Sequence, residues 1–476
     1  MIRRLLALFV AAGLGFALLQ LPSLHITSGE SSVGHEVNVR ATDLSLTCPG
    51  PIFLNKTNKV GSFTRAGNAS VQLAVGESAG VVQNTIGLLG KTQKPLTSFS
   101  ASISDAAAAT AADASGQLPQ GSALLTASQM QKVTTDQASG LAGAACQRAS
   151  GDIWLVGGDT TTGRETLLLL SNPTAVDATV DLEIFSTAGR ISAPGLSGLS
   201  VASGRTVVVP VNGLAPDTDA FVIHVQASGG AVAAWLQQRV VRGLFAAGLD
   251  IISPSNRLAK KLSIPGFLIR GTDVLTNLQS KSSNYADISN AVRVFNPSRR
   301  AAHVLVQVNG VNQQTFGTVV QATVAPGTVS DLQIDSLKTG DYNITVTSDV
   351  AVRAAAKLNR GDKTAKPVTD FAWLPSVASI SGTFAVAVGA DGISKLAIMN
   401  PNAQLVDVKV TSAGQTATLQ LAAGASKVLR VGSGRVVLQS TQPVATTMLT
   451  DISSSIAAIA LVDYRNIGGK LTVRVH

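Results

Sequence analysis

Histidine is almost missing from this chain of 476 residues, which holds only His25, His35, His224, His303 and the terminal His476. None stands at metal-ligand spacing from another histidine, a cysteine or a pair of carboxylates, so the sequence offers no metal centre and no imidazole base beside a nucleophile. Cysteine is scarcer still, with Cys48 and Cys146 alone. Aromatic residues make up 4% of the chain and charged residues 14%, against about a quarter charged in an ordinary soluble domain. The net charge of +9 would suit nucleic acid, but the cations are scattered and no basic helix, finger or stacking platform accompanies them, so no nucleic-acid partner is expected. There is no G-x-S-x-G elbow, no P-loop and no zincin motif. Two glycine-rich turns, Gly158–Gly163 and Gly432–Arg435, have no helix pattern after them to aim amides at a phosphate. No catalytic, cofactor-binding or metal-binding residue is assigned, and no cofactor is expected.

What the chain has in abundance is small and β-branched residues, together with a repeat. An Asn-Pro pair occurs at Asn172-Pro173, Asn296-Pro297 and Asn400-Pro401. Apolar residues stand two and four positions before each Asn: Leu170 and Leu168, Val294 and Val292, Ile398 and Leu396. They return eight and ten positions after it: Val180 and Leu182, Val304 and Val306, Val408 and Val410. That is strand spacing on both sides of a connection which proline, lacking a backbone donor, helps to open. A turn glycine follows in each copy (Gly204, Gly327, Gly424), with apolar residues five and seven positions on. Five to seven short strands per copy, divided by Gly, Pro, Ser and Asn turns, predict an all-β chain of tandem Ig-like antiparallel β-sandwich units over 151–256, 265–378 and 380–476. A propeller is the structural alternative, but its blades would repeat at about half this period.

The N-terminus reads differently. Arg3 and Arg4 precede an apolar run from Leu5 to Leu21, closed by Pro22. With no small-x-small cleavage pattern behind it, the run predicts a signal anchor or transmembrane helix over 1–22, arginines inside and the bulk of the chain extracytoplasmic; a cleaved signal and a secreted chain is the alternative. Residues 23–150 are poorly patterned. Val37 and Val39, Leu44 and Leu46, and Val71, Leu73 and Val75 suggest strands. The Ala/Ser/Thr-rich tract from Thr97 suggests a flexible linker, with a short helix around Asp105–Ala112 as the other reading. In an oxidising compartment Cys48 and Cys146 would pair as a disulfide; two buried free thiols or a metal site are the alternatives.

Four further features invite interpretation. Arg257, Lys260, Lys261 and Arg270 form the densest basic segment after the N-terminus, which reads as a solvated connector or as a contact for a phosphate-bearing polymer or lipid surface. His224 and His303 alternate with apolar residues and are expected to face outward. Trp154, Trp235, Trp373, Phe221 and Phe267 fit core packing better than a glycan platform, and the segment Lys281–Asn290 is an insertion of the kind on which binding is grafted.

Over Cys146–Asp250, from CQRASGDIWLVGGDTTTGRETLLLLSNP to the end of unit 151–256, the chain resembles a family of actinobacterial exported proteins of unknown function that carry an N-terminal anchor and β-rich repeats. The resemblance extends through the last repeat. It implies a fold and an envelope address, no active site, and, because genes of such proteins often neighbour membrane glycosyltransferases, a role in envelope polysaccharide assembly. The expectation is therefore a non-catalytic extracytoplasmic scaffold or adaptor, bound to the membrane through its N-terminal helix and partnered by an envelope protein or glycan. A binding module for wall glycan or anionic polymer is one alternative. An enzyme, which a cluster of carboxylates lining one cleft would favour, is another.

Overall fold

The repeated asparagine is the element on which each unit turns, and its geometry explains the spacing in the sequence. In the computed structural model Asn172, Asn296 and Asn400 are fully buried, each immediately after or one residue beyond a strand: Arg164–Ser171, Ala291–Phe295 and Ile393–Met399. Their side-chain amides do the same work three times. Nδ2 donates to the carbonyl four residues on, at Val176, Arg300 and Gln404, and to a carbonyl at the end of a neighbouring strand, at Val201, Val324 and Leu421. Oδ1 accepts the N–H two residues on, from Thr174, Ser298 and Asn402. The backbone N–H groups of Gly204, Gly327 and Gly424 donate to the carbonyls of the same three asparagines. The turn glycine and the Asn-Pro pair are therefore two ends of one device. The apolar residues flanking the Asn at two, four, eight and ten positions are all buried in their unit's core.

The structure describes residues 34–39, 44–56, 62–75, 82–95, 100–113, 125–255, 257–312, 317–334, 337–363, 368–452, 454–462 and 469–474. The apolar run 1–22 lies outside them, and among the described residues no helix is long and apolar enough to cross a membrane. The chain divides into two compact parts. In the smaller, residues 1–40 with 468–476, Gly34–Val39 pairs antiparallel with Gly469–Arg474. This C-terminal strand is thus not part of the sandwich expected over 380–476.

The larger part, 41–467, is all-β and holds four copies of one sandwich, where the sequence revealed three. We number them I (Leu44–Ala145), II (Asp152–Ile252), III (Ala259–Pro375) and IV (Ile380–Ala460). With the hairpin Phe53–Asn55/Phe63–Arg65 of unit I set aside and Gly189–Ile191 and Leu199–Val201 of unit II counted together as its fourth strand, in every copy the first strand pairs with the sixth, the sixth with the third and the third with the fourth. In the second sheet the order is eighth, seventh, second, fifth. In III and IV the sixth and seventh strands are one long strand passing from sheet to sheet, Gly340–Asp362 and Gly434–Ile452. Unit II repeats this with a break at Gly230.

Two expectations are corrected here. In the tract expected to be a linker or short helix, the described residues form the strands Ser100–Ile103 and Ala107–Asp113, with Ala107 and Ala109 in the core of unit I beside Leu46, Val71 and Leu73; residues 97–99 and 114–124 lie outside the described residues. The same core holds the buried Cys48–Cys146 disulfide (S–S 2.04 Å, Cα–Cα 4.3 Å), which bears out the bridge and removes the free-thiol and metal alternatives for these residues. The basic segment expected to be a connector is the first strand of unit III, Ala259–Ile269, buried from Leu262 onward. Its cations split: Arg270 pairs with Asp341, Lys261 donates to the Pro401 carbonyl, and Lys260 and Arg257 are exposed.

The four sandwiches close a ring. Core clusters run from I to II (Val133, Ala142 and Ala144 against Leu169, Trp235 and Leu249), from II to III, from III to IV, and from IV back to I, where Ala74 meets Ala385 and Ala387. The eighth strands, Ser139–Ala145, Phe245–Ile252, Val368–Pro375 and Ser455–Ala460, line the common axis, each beside the next. Small residues in these strands, among them Gly140, Gly143 and Gly248, let their neighbours approach closely.

Two carboxyl groups sit on the strands of that axis, Asp370 and Asp250. Asp370 is 1% exposed and accepts N–H bonds from Leu141 of unit I (3.0 Å), Leu249 of II (3.1 Å) and Ile456 of IV (3.2 Å). Glycine makes the room: a Cβ at Gly140 (φ +157°) would stand 2.6 Å from the carboxylate, and one at Gly248 (φ +134°) would strike the Phe371 ring. Burial pushes the Asp370 carboxyl up to about 7, although backbone donors oppose the shift. Asp250, beside it, is also raised well above the ordinary value, first by burial and further by Asp370. The folded state therefore holds a proton that the unfolded chain releases near 3.8, so stability from Asp370 is complete below that pH and is lost as pH rises through about 7. Thermal unfolding midpoints are expected to fall between pH 5 and pH 8, with a shallower slope in Asp370→Asn; an unchanged slope would refute the assignment.

Candidate functional site

The cleft between units II and III gathers charge that the sequence scatters over two hundred positions. Unit II supplies the turn Gly158–Asp159 and, from the loop before its sixth strand, Asp219; unit III supplies Arg293, Asp331, Lys357 and Trp373 from adjacent strands of one sheet. The insertion of unit III covers one side. The insertion read as a loop, Lys281–Asn290, is irregular apart from a short 3-10 turn at Ser283–Tyr285, and the helix Thr272–Lys281 leads into it, with Val274, Leu275, Leu278 and Ile288 forming their own cluster. Apolar residues at 274, 275 and 278 were the helical signal that went unread. Beyond the helix, Ala286, Asp287 and Ser289 reach the cleft, which encloses about 240 Å³.

Arg293 is the centre of the arrangement and is 2% exposed. Its Nε and Nη2 donate to both oxygens of Asp331 (2.7 and 2.8 Å), and the remaining donors reach the carbonyls of Gly158 (2.7 Å), Phe221 (3.2 Å) and Asp219 (2.9 Å) in unit II. The guanidinium lies 4.7 Å from the centre of the Trp373 ring. Asp287 binds Arg164 and Arg242, both at 2.6 Å. Burial alone would raise its carboxyl, but Arg242, Lys357 and Arg164 together hold it well below the usual range. Lys357 is nine-tenths buried. Burial lowers its ammonium from the ordinary lysine value, with Asp287 and Asp159 opposing. It donates one bond, to the Asp287 carbonyl at 3.2 Å, out of the three its ammonium can make.

Carboxylates do line one cleft, as an enzyme would have them. Asp287 and Asp331 are nevertheless clamped by guanidinium groups, and Asp159 accepts from the Thr161 amide and hydroxyl. Clamped carboxylates hold hydrogen-bond acceptors in place; they are poor proton carriers. The chemistry this cavity suits is recognition of hydroxyl or carboxyl groups, with Lys357 as donor and Asp219 as acceptor.

The residues singled out in sequence lie elsewhere or play structural parts. Trp235, Trp373, Phe221 and Phe267 are buried, and of these Trp373 and Phe221 border the Arg293 network. His303 is exposed, as expected. His224 is not: it is 7% exposed, stacked on Trp154 at 3.9 Å, with its ring nitrogens 3.0 Å from Glu183 and 2.7 Å from Asp152. The outward face of its sheet is covered by unit III, whose Phe295 and Arg353 pack on Trp154. His35 lies in the strand Gly34–Val39, and His25 and His476 lie outside the described residues. Among the described residues no group of three or more His, Cys, Asp or Glu is arranged to hold a metal ion.

No curated protein matches the chain. Two solved structures give faint likenesses. One is a Ca2+-stabilized adhesin that helps an Antarctic bacterium reach out and bind ice, at 10% identity, covering 89% of this chain and 94% of that one, with a TM-score of 0.11. The other is a 1.5-MDa bacterial ice-binding adhesin described for host cell surface retention, at 12% identity, covering 66% of this chain and 98% of that one, with a TM-score of 0.11. Neither superposes well enough to carry an argument. A family model does match, over residues 99–432, and the chain accordingly belongs to that family, a family of unknown function (DUF5719).

Proposed function

We propose that the protein is a non-catalytic extracytoplasmic scaffold or adaptor of the cell envelope, held at the membrane by residues 1–22. The observation that carries this reading is the buried Cys48–Cys146 disulfide, because such bridges form and persist in oxidising compartments outside the cytosol. The closed ring supports it as well: four sandwiches packed on each other present a large strand-built surface. Pairing of second with fifth and third with sixth strands is the pairing of an Ig-like sandwich, which supports that finer reading of each unit. The resemblance to actinobacterial exported proteins points to envelope polysaccharide assembly as the setting.

A second reading is favoured by one feature, the spare donors of Lys357 inside a polar cavity: a binding module for a wall glycan, held in the cleft between units II and III. The two are separated in a deletion strain. Full-length protein is expected in the membrane fraction after an alkaline wash, cross-linked to envelope proteins, and Lys357→Met is expected to complement as well as the wild type. Recovery of the full-length chain in the soluble fraction overturns the anchor. Loss of complementation by folded Lys357→Met replaces the scaffold with the glycan reading.

A further inference from the structure

The axis of the ring is closed at one end by Asp370 and open at the other. Where the four eighth strands finish, the segments leaving them diverge and leave a pocket of about 400 Å³, within the size range of ordinary small-molecule sites. The connections from I to II, II to III and III to IV line it, together with Ala145, Ile153 and Ala460 of units I, II and IV. Its floor is apolar, from Ala145, Ile153, Val377 and Ala460, and two arginines stand on it from consecutive connections: Arg148 between units I and II, and Arg257 between II and III.

Three features separate this pocket from an incidental dent. Among the described residues its lining holds no carboxylate. Neither Arg148 nor Arg257 has an ion-pair or hydrogen-bond partner among the described residues, whereas the arginines of the cleft, Arg164, Arg242 and Arg293, are all committed to aspartates. Third, Ser253 lines the same pocket at 7% exposure. Its Oγ accepts the Ala145 N–H at 3.3 Å, and its own O–H finds no acceptor among the described residues. A buried hydroxyl with a proton to give, beside two guanidinium groups that no described residue pairs, asks for an anion.

We propose that this axial pocket binds an organic phosphate, its phosphoryl group bridging Arg148 and Arg257 and accepting from Ser253, its apolar substituent lying against Ala145, Ile153 and Val377. Charge selects the head: a phosphate monoester carries close to two negative charges at neutral pH, matching two guanidinium groups. The floor selects the rest of the ligand, since inorganic phosphate would leave the apolar wall wet. The phosphate could belong to a soluble ester or to a lipid headgroup, and the two sources share this chemistry. The site is independent of the scaffold reading and of the cleft around Lys357.

The test uses the purified full-length chain with three probes: inorganic phosphate, hexyl phosphate, and vesicles containing phosphatidic acid. Saturable binding of hexyl phosphate is expected by titration calorimetry, at least tenfold tighter than inorganic phosphate. The double variant R148A/R257A is expected to weaken it at least tenfold, and S253A more modestly. Because both arginines are exposed and no described residue pairs with them, the double variant should keep the wild-type unfolding midpoint. The exposed pair Arg299 and Arg300, on a turn of unit III, is the control: R299A/R300A should bind as the wild type does. Vesicle binding that depends on Arg148 and Arg257 assigns the phosphate to a lipid, and binding of hexyl phosphate alone assigns it to a soluble ester. No saturable binding of any probe, equal affinity for hexyl and inorganic phosphate, or equal loss in both double variants would overturn the proposal.

Discussion

Replacing Arg293 by alanine is expected to cost about 3–5 kcal/mol of stability, read as a fall in the urea midpoint, because it removes a buried guanidinium that holds a partly exposed carboxylate and three carbonyls at once. The size follows from what is left behind. Asp331 would lose both of its donors, and the carbonyls of Gly158, Asp219 and Phe221 would lose theirs where bulk water cannot readily replace them. Lysine should recover little of this, since a single ammonium cannot span a bidentate carboxylate and three carbonyls at once. The damage should be local to the seam between units II and III, visible as faster amide exchange in Phe221–Val225 and Ala291–Phe295 before exchange rises elsewhere. A loss under about 0.5 kcal/mol, the size of an ordinary surface change, would mean that the network is not what joins these units.

Removing the disulfide should rank with it. Cys48 ends the first strand of unit I and Cys146 directly follows its eighth, 98 positions away in sequence. Chain-entropy arguments give about 4 to 5 kcal/mol for closing a loop of that length in the unfolded state. The folded state changes less, because Thr47 and Gln147 exchange both backbone hydrogen bonds beside the bridge (2.7 and 2.8 Å) and keep the strands in register without it. The expected result for a Cys48→Ser, Cys146→Ser double variant is a folded protein at low temperature whose unit I unfolds well below the rest. Non-reducing peptide mapping of the exported chain should recover the linked pair. Two alkylatable thiols in that protein would reject the bridge, and an unchanged midpoint in the double variant would reject its energetic role.

How much of this could be read from residues alone depends on how local the cause is. The Asn-Pro repeat was legible because one asparagine makes bonds at fixed offsets within its own unit, and evolution can satisfy those bonds only by keeping the offsets. Unit I was illegible because its core is built from alanines around a disulfide, and because alanine in a strand looks like alanine in a linker or a helix. Its topology matches the others without the Asn-Pro marker among the described residues. The cleft was hidden for a different reason. Asp159, Asp219, Asp287, Asp331 and Lys357 share no spacing, and only closure of the ring brings them together. A usable signal did exist: Arg293 within AVRVF and Lys357 within AAAKL are charges set inside apolar strands, and a strand buried on both faces can keep a charge only by pairing it. His224 misled for the same reason, since alternation reports which face of a sheet a residue takes and says nothing of whether a neighbour covers that face.

The seam where unit IV meets unit I imposes an order on synthesis. Thr126 donates to the Ala385 carbonyl and Ser128 to the Ala387 carbonyl, each across 259 positions of chain. A ribosome or export channel delivers unit I long before its partner exists, so that the face carrying Thr126, Ser128 and Met130 must wait for most of the chain to arrive. Contacts of such separation form late and slowly. Until they do, the open arc of three sandwiches presents two faces shaped for a fourth, and a neighbouring copy's unit IV would fit them as well as its own. High local concentration during folding should therefore yield exchanged dimers, whereas dilute or tethered chains should close on themselves.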